Sequence, residues 1–191
     1  DLSGQTKLFL CTLAGLALTG CVEPAVEPVP GLKAFAGARI IDGNGTTIEN
    51  GILVVRDGRV EAIGASDSVS VPAGAEQLDL TGRTIIPGFI NSHGHVGATR
   101  GLESGPELYT RGNLLQQLEL YARYGVTTVF SLGGDDQAGV TLRDEQDLSL
   151  DRSRLFVAGP VVNGATAEDV EPLVDEIAGM GADIIKIRVD D

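Results

Sequence analysis

Two histidines are the whole imidazole complement of this 191-residue chain, and they stand two apart in Asn91-Ser92-His93-Gly94-His95. Residues i and i+2 of a β-strand point to one face, so on a strand both rings project together. Gly94 adds no bulk between them. Two convergent neutral imidazoles begin a site for Zn²⁺ or a similar divalent ion. His-x-His alone is a short motif, and a solvated pair in a surface loop is the plain alternative. Lys186 is the second candidate, in Ile184-Ile185-Lys186-Ile187-Arg188. Alternation there puts Ile184, Lys186 and Arg188 on one face and turns Ile185 and Ile187 toward whatever covers the other. An ammonium in an apolar strand is costly unless paired. Lys186 therefore snorkels to water at a strand end, pairs with Asp190, or does chemistry. Arg100 and Asp135 fall in loops after strand-like runs, where substrate contact and a solvated surface role weigh equally.

Both cysteines, Cys11 and Cys21, precede the part expected to fold, which excludes disulfides and thiolate metal sites for everything from Val22 onward. Lys7 is followed by an apolar run, Leu8 to Leu18, of signal-peptide length and too short to span a bilayer. Leu18-Thr19-Gly20-Cys21 resembles a bacterial lipobox, set against the alternative of a buried helix that ends in Gly-Cys. That resemblance implies a leader over 1–21, lipidation of Cys21, and anchorage to a membrane face of the bacterial cell envelope. Val22 after the cysteine points to the outer membrane. Residues 22–33 are proline-rich and acidic and read as an extended tether.

Those side chains need elements to hold them. Residues 34–86 read as short strands: Ala36 to Ile41, Gly51 to Val55, Arg59 to Ile63, Gln77 to Leu80 and Arg83 to Ile86. Asp42-Gly43-Asn44-Gly45, Asp57-Gly58 and Thr81-Gly82 are the turns between them. The expectation is a small antiparallel β unit without helix. After Pro87 the rhythm changes. Strand-like runs at Gly88–His93, Val126–Leu132, Leu155–Ala158 and Asp183–Val189 alternate with helical stretches. Leu114, Leu115, Leu118 and Tyr121 form one helical stripe, with Gly125 at its end. A polar, partly helical stretch spans Asp136 to Asp147. Val170, Leu173, Val174 and Ile177 form another stripe in Ala167–Met180, where Pro172 moves the expected start to near Asp169. Val126–Leu132 is apolar enough to be buried on both faces. Alternation of this kind means βαβ units and a parallel sheet, either doubly wound or the start of a (β/α)8 barrel. No glycine-rich dinucleotide fingerprint favours the first of these.

The formal net charge of −13 is spread along the chain, and its plain reading is a solvated, charged surface. No basic cluster offers a stripe for phosphates, so nucleic acid is not an expected partner.

Thr84-Ile85-Ile86-Pro87-Gly88-Phe89-Ile90-Asn91-Ser92-His93-Gly94-His95 closely resembles the first barrel strand of the amidohydrolase superfamily. Ile41-Asp42-Gly43 and Asp57-Gly58-Arg59-Val60 are similar to that family's N-terminal β-sandwich. Gly125-Val126-Thr127-Thr128-Val129 with Leu132-Gly133-Gly134-Asp135, and Ala182-Asp183-Ile184-Ile185-Lys186-Ile187, resemble later strands of its imidazolonepropionase-like and prolidase-like branch. The resemblance covers Ala34 to Asp191. It implies a small β-sandwich domain over 34–86, then the first half of a TIM barrel, about four strands, over 87–191. It also implies one or two divalent metals, Zn²⁺ first among them, held by His93, His95 and Lys186 as N6-carboxylysine. The activity implied is hydrolysis of a C–N bond, amide or cyclic amide, in a small-molecule or short peptide-like substrate. The general-base carboxylate and two further histidines of the family fall on later strands, so the catalytic acid–base residue is not placed and this polypeptide alone is expected to be inactive and poorly soluble. Two other readings stand beside this one: a binding or scaffold lipoprotein that keeps the fold without catalysis, and a one-metal barrel lyase or isomerase. Oligomeric state is not legible.

Overall fold

The computed structural model describes residues 26–147 and 149–188. The lipobox and Cys21 lie outside them. The chain begins with β1 (Leu32–Ile41), β2 (Thr47–Arg56) and β3 (Arg59–Ala65), an antiparallel meander whose second turn is Asp57-Gly58 as expected. Leu32 and Lys33, expected in the tether, are already β1.

β4 (Glu76–Asp79) and β5 (Thr84–Ile85) complete a five-stranded sheet, and they correct the antiparallel expectation. Both pair parallel with β1, one after the other along its edge. Thr81-Gly82 between them makes a jog and does not reverse the chain. The Asp79 carboxylate accepts from the Thr81 N–H at 2.9 Å and its hydroxyl at 2.7 Å, while Leu80 N–H donates to Ala36 O at 2.8 Å. Those bonds hold the chain against β1 through the jog, so it leaves in the direction it arrived. Leu32, Ile52 and Val54 are the buried centre of this unit, covered by Val69, Val71 and Ala75 of the loop before β4. One sheet under a loop is what the described residues show.

The second unit is a parallel sheet of β6 (Phe89–Gly94), β9 (Val126–Ser131) and β10 (Arg154–Val157), in the order β10-β9-β6. Between β6 and β9 lie a two-strand hairpin, β7 (Thr99–Arg100) with β8 (Glu103–Ser104), a 3₁₀ turn at Pro106–Leu108, and helix α1 (Arg111–Arg123). Helix α2 (Gln137–Asp144) follows β9, and α3 (Ala167–Met180) follows β10. The core lies between sheet and helices: Val129, Leu155 and Val157 face Leu114, Leu118, Val140 and Leu142, all buried. The opposite face carries Ile90, Phe130 and Phe156. Phe130 and Phe156 stack at 4.7 Å between centroids, while Ile90 is 64% exposed. β9 is thus buried on one face and half-open on the other, against the expectation of burial on both.

Two further expectations change. The run Asp183–Val189 meets its neighbour in one bridge, Val162 with Ile187, flanked by Val162 N–H to Lys186 O at 2.8 Å and Arg188 N–H to Val162 O at 3.1 Å. Its neighbouring segment carries Pro160, which has no N–H to give a ladder. Ile185 and Ile187, expected under helices, are 36% and 60% exposed. Helix α3 starts at Ala167, despite Pro172 in its interior. A capping box supports the early start: Thr166 Oγ accepts from Asp169 N–H, and the Asp169 carboxylate accepts from Thr166 N–H at 3.0 Å. Of its stripe, Ile177 is buried, whereas Leu173 is 37% exposed. With so little packing on the first turn, the cap matters: Thr166→Ala should cost about 1 kcal/mol, read as a lower urea midpoint with faster hydrogen exchange confined to 167–172.

Candidate metal centre

The histidines sit where β6 leaves the sheet, and an irregularity aims them. Asn91 pairs with Val129 and Gly94 with Ser131, so β6 spends three steps where β9 spends two. A bulge of this kind re-aims side chains. Asn91 turns toward the helices, its amide 3.4 Å from the Tyr121 hydroxyl. Past the bulge, Gly94 and Val96 take the helix side and are buried, while His93 and His95 take the open side and are exposed. The Asn91 carboxamide oxygen accepts from the His93 N–H at 3.1 Å and steadies the bulge.

Gly94 therefore serves a different purpose from the one its position suggested. A Cβ there would lie 2.8 Å from Val129 Cγ1 and 3.4 Å from the Tyr121 hydroxyl. Its smallness lets the strand pack down on the core. It does not separate the rings.

The two imidazole centroids are 5.6 Å apart, tilted by 57°. A Zn–N bond of about 2.0–2.1 Å puts a ring centroid about 3.2 Å from the metal, so two ligands at a tetrahedral angle have centroids about 5–5.5 Å apart. The observed pair fits that requirement within a few tenths of an ångström. His95 Nδ1 lies 3.4 Å from Gly133 O. A carbonyl can only accept, so the neutral tautomer that satisfies this contact is the one with its proton on Nδ1 and its lone pair on Nε2.

The stem of Lys186 lies near the Gly133 loop. Gly133, at φ 99°, is in the left-handed region, and a Cβ on it would lie 2.4 Å from Val161 Cγ2 and 3.6 Å from Lys186 Cγ. The glycine thus makes room for Val161, with the Lys186 stem beside it and the His95 ring at its carbonyl. Lys186 is half-buried, and its ammonium makes no ion pair among the described residues. Also among the described residues, no three His, Cys, Asp or Glu side chains group as a metal cage.

The two candidate substrate contacts separate. Arg100 is exposed on the β7–β8 hairpin, 3.9 Å from Glu103, and lines with His95 and Tyr121 a cleft of about 880 Å³ beside α1. Asp135 is 2% exposed, with the Tyr109 hydroxyl and Ala158 N–H each 3.0 Å from its carboxylate. Burial raises its pKa above the ordinary 3.8, outweighing hydrogen bonds that lower it. The folded chain then holds a proton that the unfolded chain releases, between 3.8 and the raised value. Stability from this group is greatest below that window and falls as pH rises through it. Asp135→Asn should flatten that fall, and urea midpoints between about pH 4 and about pH 7 will show whether the slope changes. Asn91, Tyr109 and Ser131 were not singled out from sequence. A serine ending an apolar strand, two positions before Gly-Gly-Asp, was the available signal.

No family model matches the sequence. The chain is 32% identical over 94 residues to the exoenzymes regulatory protein AepA of Pectobacterium carotovorum subsp. carotovorum, covering 46% of this chain and 20% of that protein. It is 41% identical over 49 residues to the imidazolonepropionase of Mycolicibacterium smegmatis, 26% of this chain and 12% of the enzyme. A candidate prolidase from Bifidobacterium longum superposes with a TM-score of 0.63 at 29% identity, over 88% of this chain and 42% of that one. The chain therefore spans a fifth or less of these two sequence relatives and under half of the structural one.

Proposed function

We propose that this chain, which is related to the amidohydrolase superfamily, carries the first metal-binding strand end of a hydrolase acting on C–N bonds. The relatives that support a hydrolase of this general kind include an imidazolonepropionase and a candidate prolidase. In this reading 34–86 is the small β-sandwich domain and 87–191 opens a (β/α)8 barrel, with β6, β9 and β10 as its first strands. Catalytic groups of such barrels gather at the C-terminal ends of the strands, which is where His93 and His95 stand.

The observation that carries the proposal is the pair of imidazoles on one face at ligand spacing. His93 and His95 hold the ion, Zn²⁺ being the natural choice for nitrogen ligands. A divalent ion, when bound, supplies an activated water and polarises a carbonyl. Lys186 contributes as a carbamate: neutral Nζ attacks the carbon of CO₂, a C–N bond forms, the displaced proton goes to solvent, and an anion with two oxygens remains. Arg100, at the rim of the cleft, orients the substrate's acidic end. Cys21, lipidated, ties the protein to the cell envelope; mass spectrometry of the leaderless N-terminus checks this.

The test uses the complete protein. Metal analysis is expected to give about one or two divalent ions per chain, and cleavage of N-acyl amino acids or Xaa-Pro dipeptides should cease on chelation and return with Zn²⁺. A metal-free protein that hydrolyses these substrates unaffected by chelator, or one that binds no metal and cleaves none of them, overturns the reading.

A further inference from the structure

Three asparagines of this chain precede a glycine, in Asn44-Gly45, Asn50-Gly51 and Asn163-Gly164, and the fold treats them differently. Asn44-Gly45 is exposed, in the turn between β1 and β2. Asp42 builds that turn. Its carboxylate accepts from Asn44 N–H at 2.8 Å and Thr46 N–H at 3.0 Å, and its own N–H donates to Thr46 O at 3.2 Å. Gly45 is passed over. Its N–H and the Asn44 carboxamide have no hydrogen-bond partner among the described residues. Beyond the chain neighbours, no atom lies within 4 Å of where a Gly45 side chain would begin. Asn50 is held instead: its carboxamide donates to the Ser66 hydroxyl at 2.9 Å, and its carbonyl accepts from Ser66 N–H at 3.1 Å. Gly51 beside it is buried, in register with Ala38 on β1 and Ala65 on β3. Asn163 lies between these cases. Its carboxamide donates to Val161 O at 3.4 Å, and Gly164 packs on α3, where a Cβ would lie 2.6 Å from Val170 Cγ1.

We propose that Asn44 is a spontaneous modification site, where the turn gives up its side-chain amide and becomes isoaspartate or aspartate. A glycine nitrogen is the least hindered backbone nucleophile, because no Cβ shields it. Gly45 N attacks Asn44 Cγ and forms a new C–N bond. The Cγ–Nδ2 bond breaks, the proton from Gly45 N passes through solvent to the departing nitrogen, and ammonia leaves a cyclic imide. Water, the sole co-reactant, then opens the imide at either carbonyl. One opening leaves aspartate at position 44, and the other routes the backbone through the side chain as isoaspartate. The reaction needs a carboxamide and an N–H that no other group holds, and Asn44-Gly45 supplies both. At Asn50 the carboxamide must first leave Ser66 and the ladder must open around Gly51. The isoaspartate form adds a methylene to the main chain and a carboxylate two residues from Asp42. Gly43 of the same turn lies against Pro87, which leads into β6, so the change falls where the two sheets are joined. The claim rests on the turn alone and is independent of the metal reading.

The experiment incubates the complete protein in warm, mildly alkaline buffer, native and in urea, and maps its peptides by mass spectrometry over time. Cleavage after Glu49 separates Asn44 from Asn50. Isoaspartate is counted by carboxyl methylation with an isoaspartate methyltransferase. In the native protein the Asn44 peptide should convert, mostly to isoaspartate. Asn50 should convert at least about tenfold more slowly, because its reaction waits on local opening of the ladder, and Asn163 should fall between them. In urea the three Asn-Gly pairs should react at similar rates, since only the local sequence then differs. Asn44→Gln should remove most of the methylation of the aged native protein. An Asn44 that persists in the native protein while it is lost in urea overturns the proposal. Native loss at Asn50 or Asn163 as fast as at Asn44 also overturns it, as does methylation undiminished in Asn44→Gln.

Discussion

His95→Ala in the complete protein should lose tight metal binding and, with it, nearly all hydrolysis. Loss of an outer partner alone weakens such sites by about 10–100-fold, and a direct ligand must count for more, so a fall of at least about 100-fold in Zn²⁺ affinity is expected. His93→Ala should match it, because the pair shares one face 5.6 Å apart and neither ring has a substitute among the described residues. The chain's third candidate should behave differently. On the carbamate reading, Lys186→Ala should remove an anionic ligand and leave both imidazoles, so one weakly held ion should persist. Arg100→Ala, on an exposed hairpin, should raise KM and spare metal content. Isothermal titration with Zn²⁺ and metal analysis of each variant separate these cases. Undiminished Zn²⁺ affinity in both histidine variants would place the metal elsewhere in the protein.

The nearness of the two imidazoles was legible in sequence because it rests on spacing. Two imidazoles at i and i+2 share a face on any strand, and the structure keeps them together. The face itself was not legible. It depends on the bulge between Asn91 and Gly94, an extra residue that changes which side of the sheet the alternation reaches. The same limit applies to Gly94, whose role depends on Val129 and Tyr121 behind it, residues distant in sequence. Elements with strong local signals came through: the helix ending near Gly125, the Asp57-Gly58 hairpin, the strands at Val126 and Leu155. Direction of pairing did not, because β4 and β5 are short and their orientation is fixed by hydrogen bonds of Asp79 and Leu80 to their surroundings. Asp135 shows the sharpest contrast. A loop aspartate after Gly-Gly suggests solvent, yet tertiary packing buries it where its carboxylate accepts from the Tyr109 hydroxyl and Ala158 N–H.

Adjacent residues of β10 offer the largest stability contrast. Leu155 is fully buried between sheet and helices, and Phe156 stacks on Phe130 across the open face. Leu155→Ala removes methylene groups from a close-packed core and leaves a cavity, at a cost of about 2–5 kcal/mol. Set against a total stability of about 5–15 kcal/mol, that is enough to unfold a marginal chain. Phe156→Ala gives up one stacked pair and partial burial, about 1–2 kcal/mol. Urea midpoints for the two variants of the 191-residue chain should therefore differ widely, with Leu155→Ala the lower. The comparison also reports on the face that carries the histidines, since Ile90, Phe130 and Phe156 share a side of the sheet with one another. On the barrel reading, further strands cover that side, and Phe156→Ala in a closed barrel should be as costly as Leu155→Ala. A Phe156→Ala penalty that stays small in the complete protein means the open face remains open, and the barrel reading, with the enclosed metal site it implies, fails.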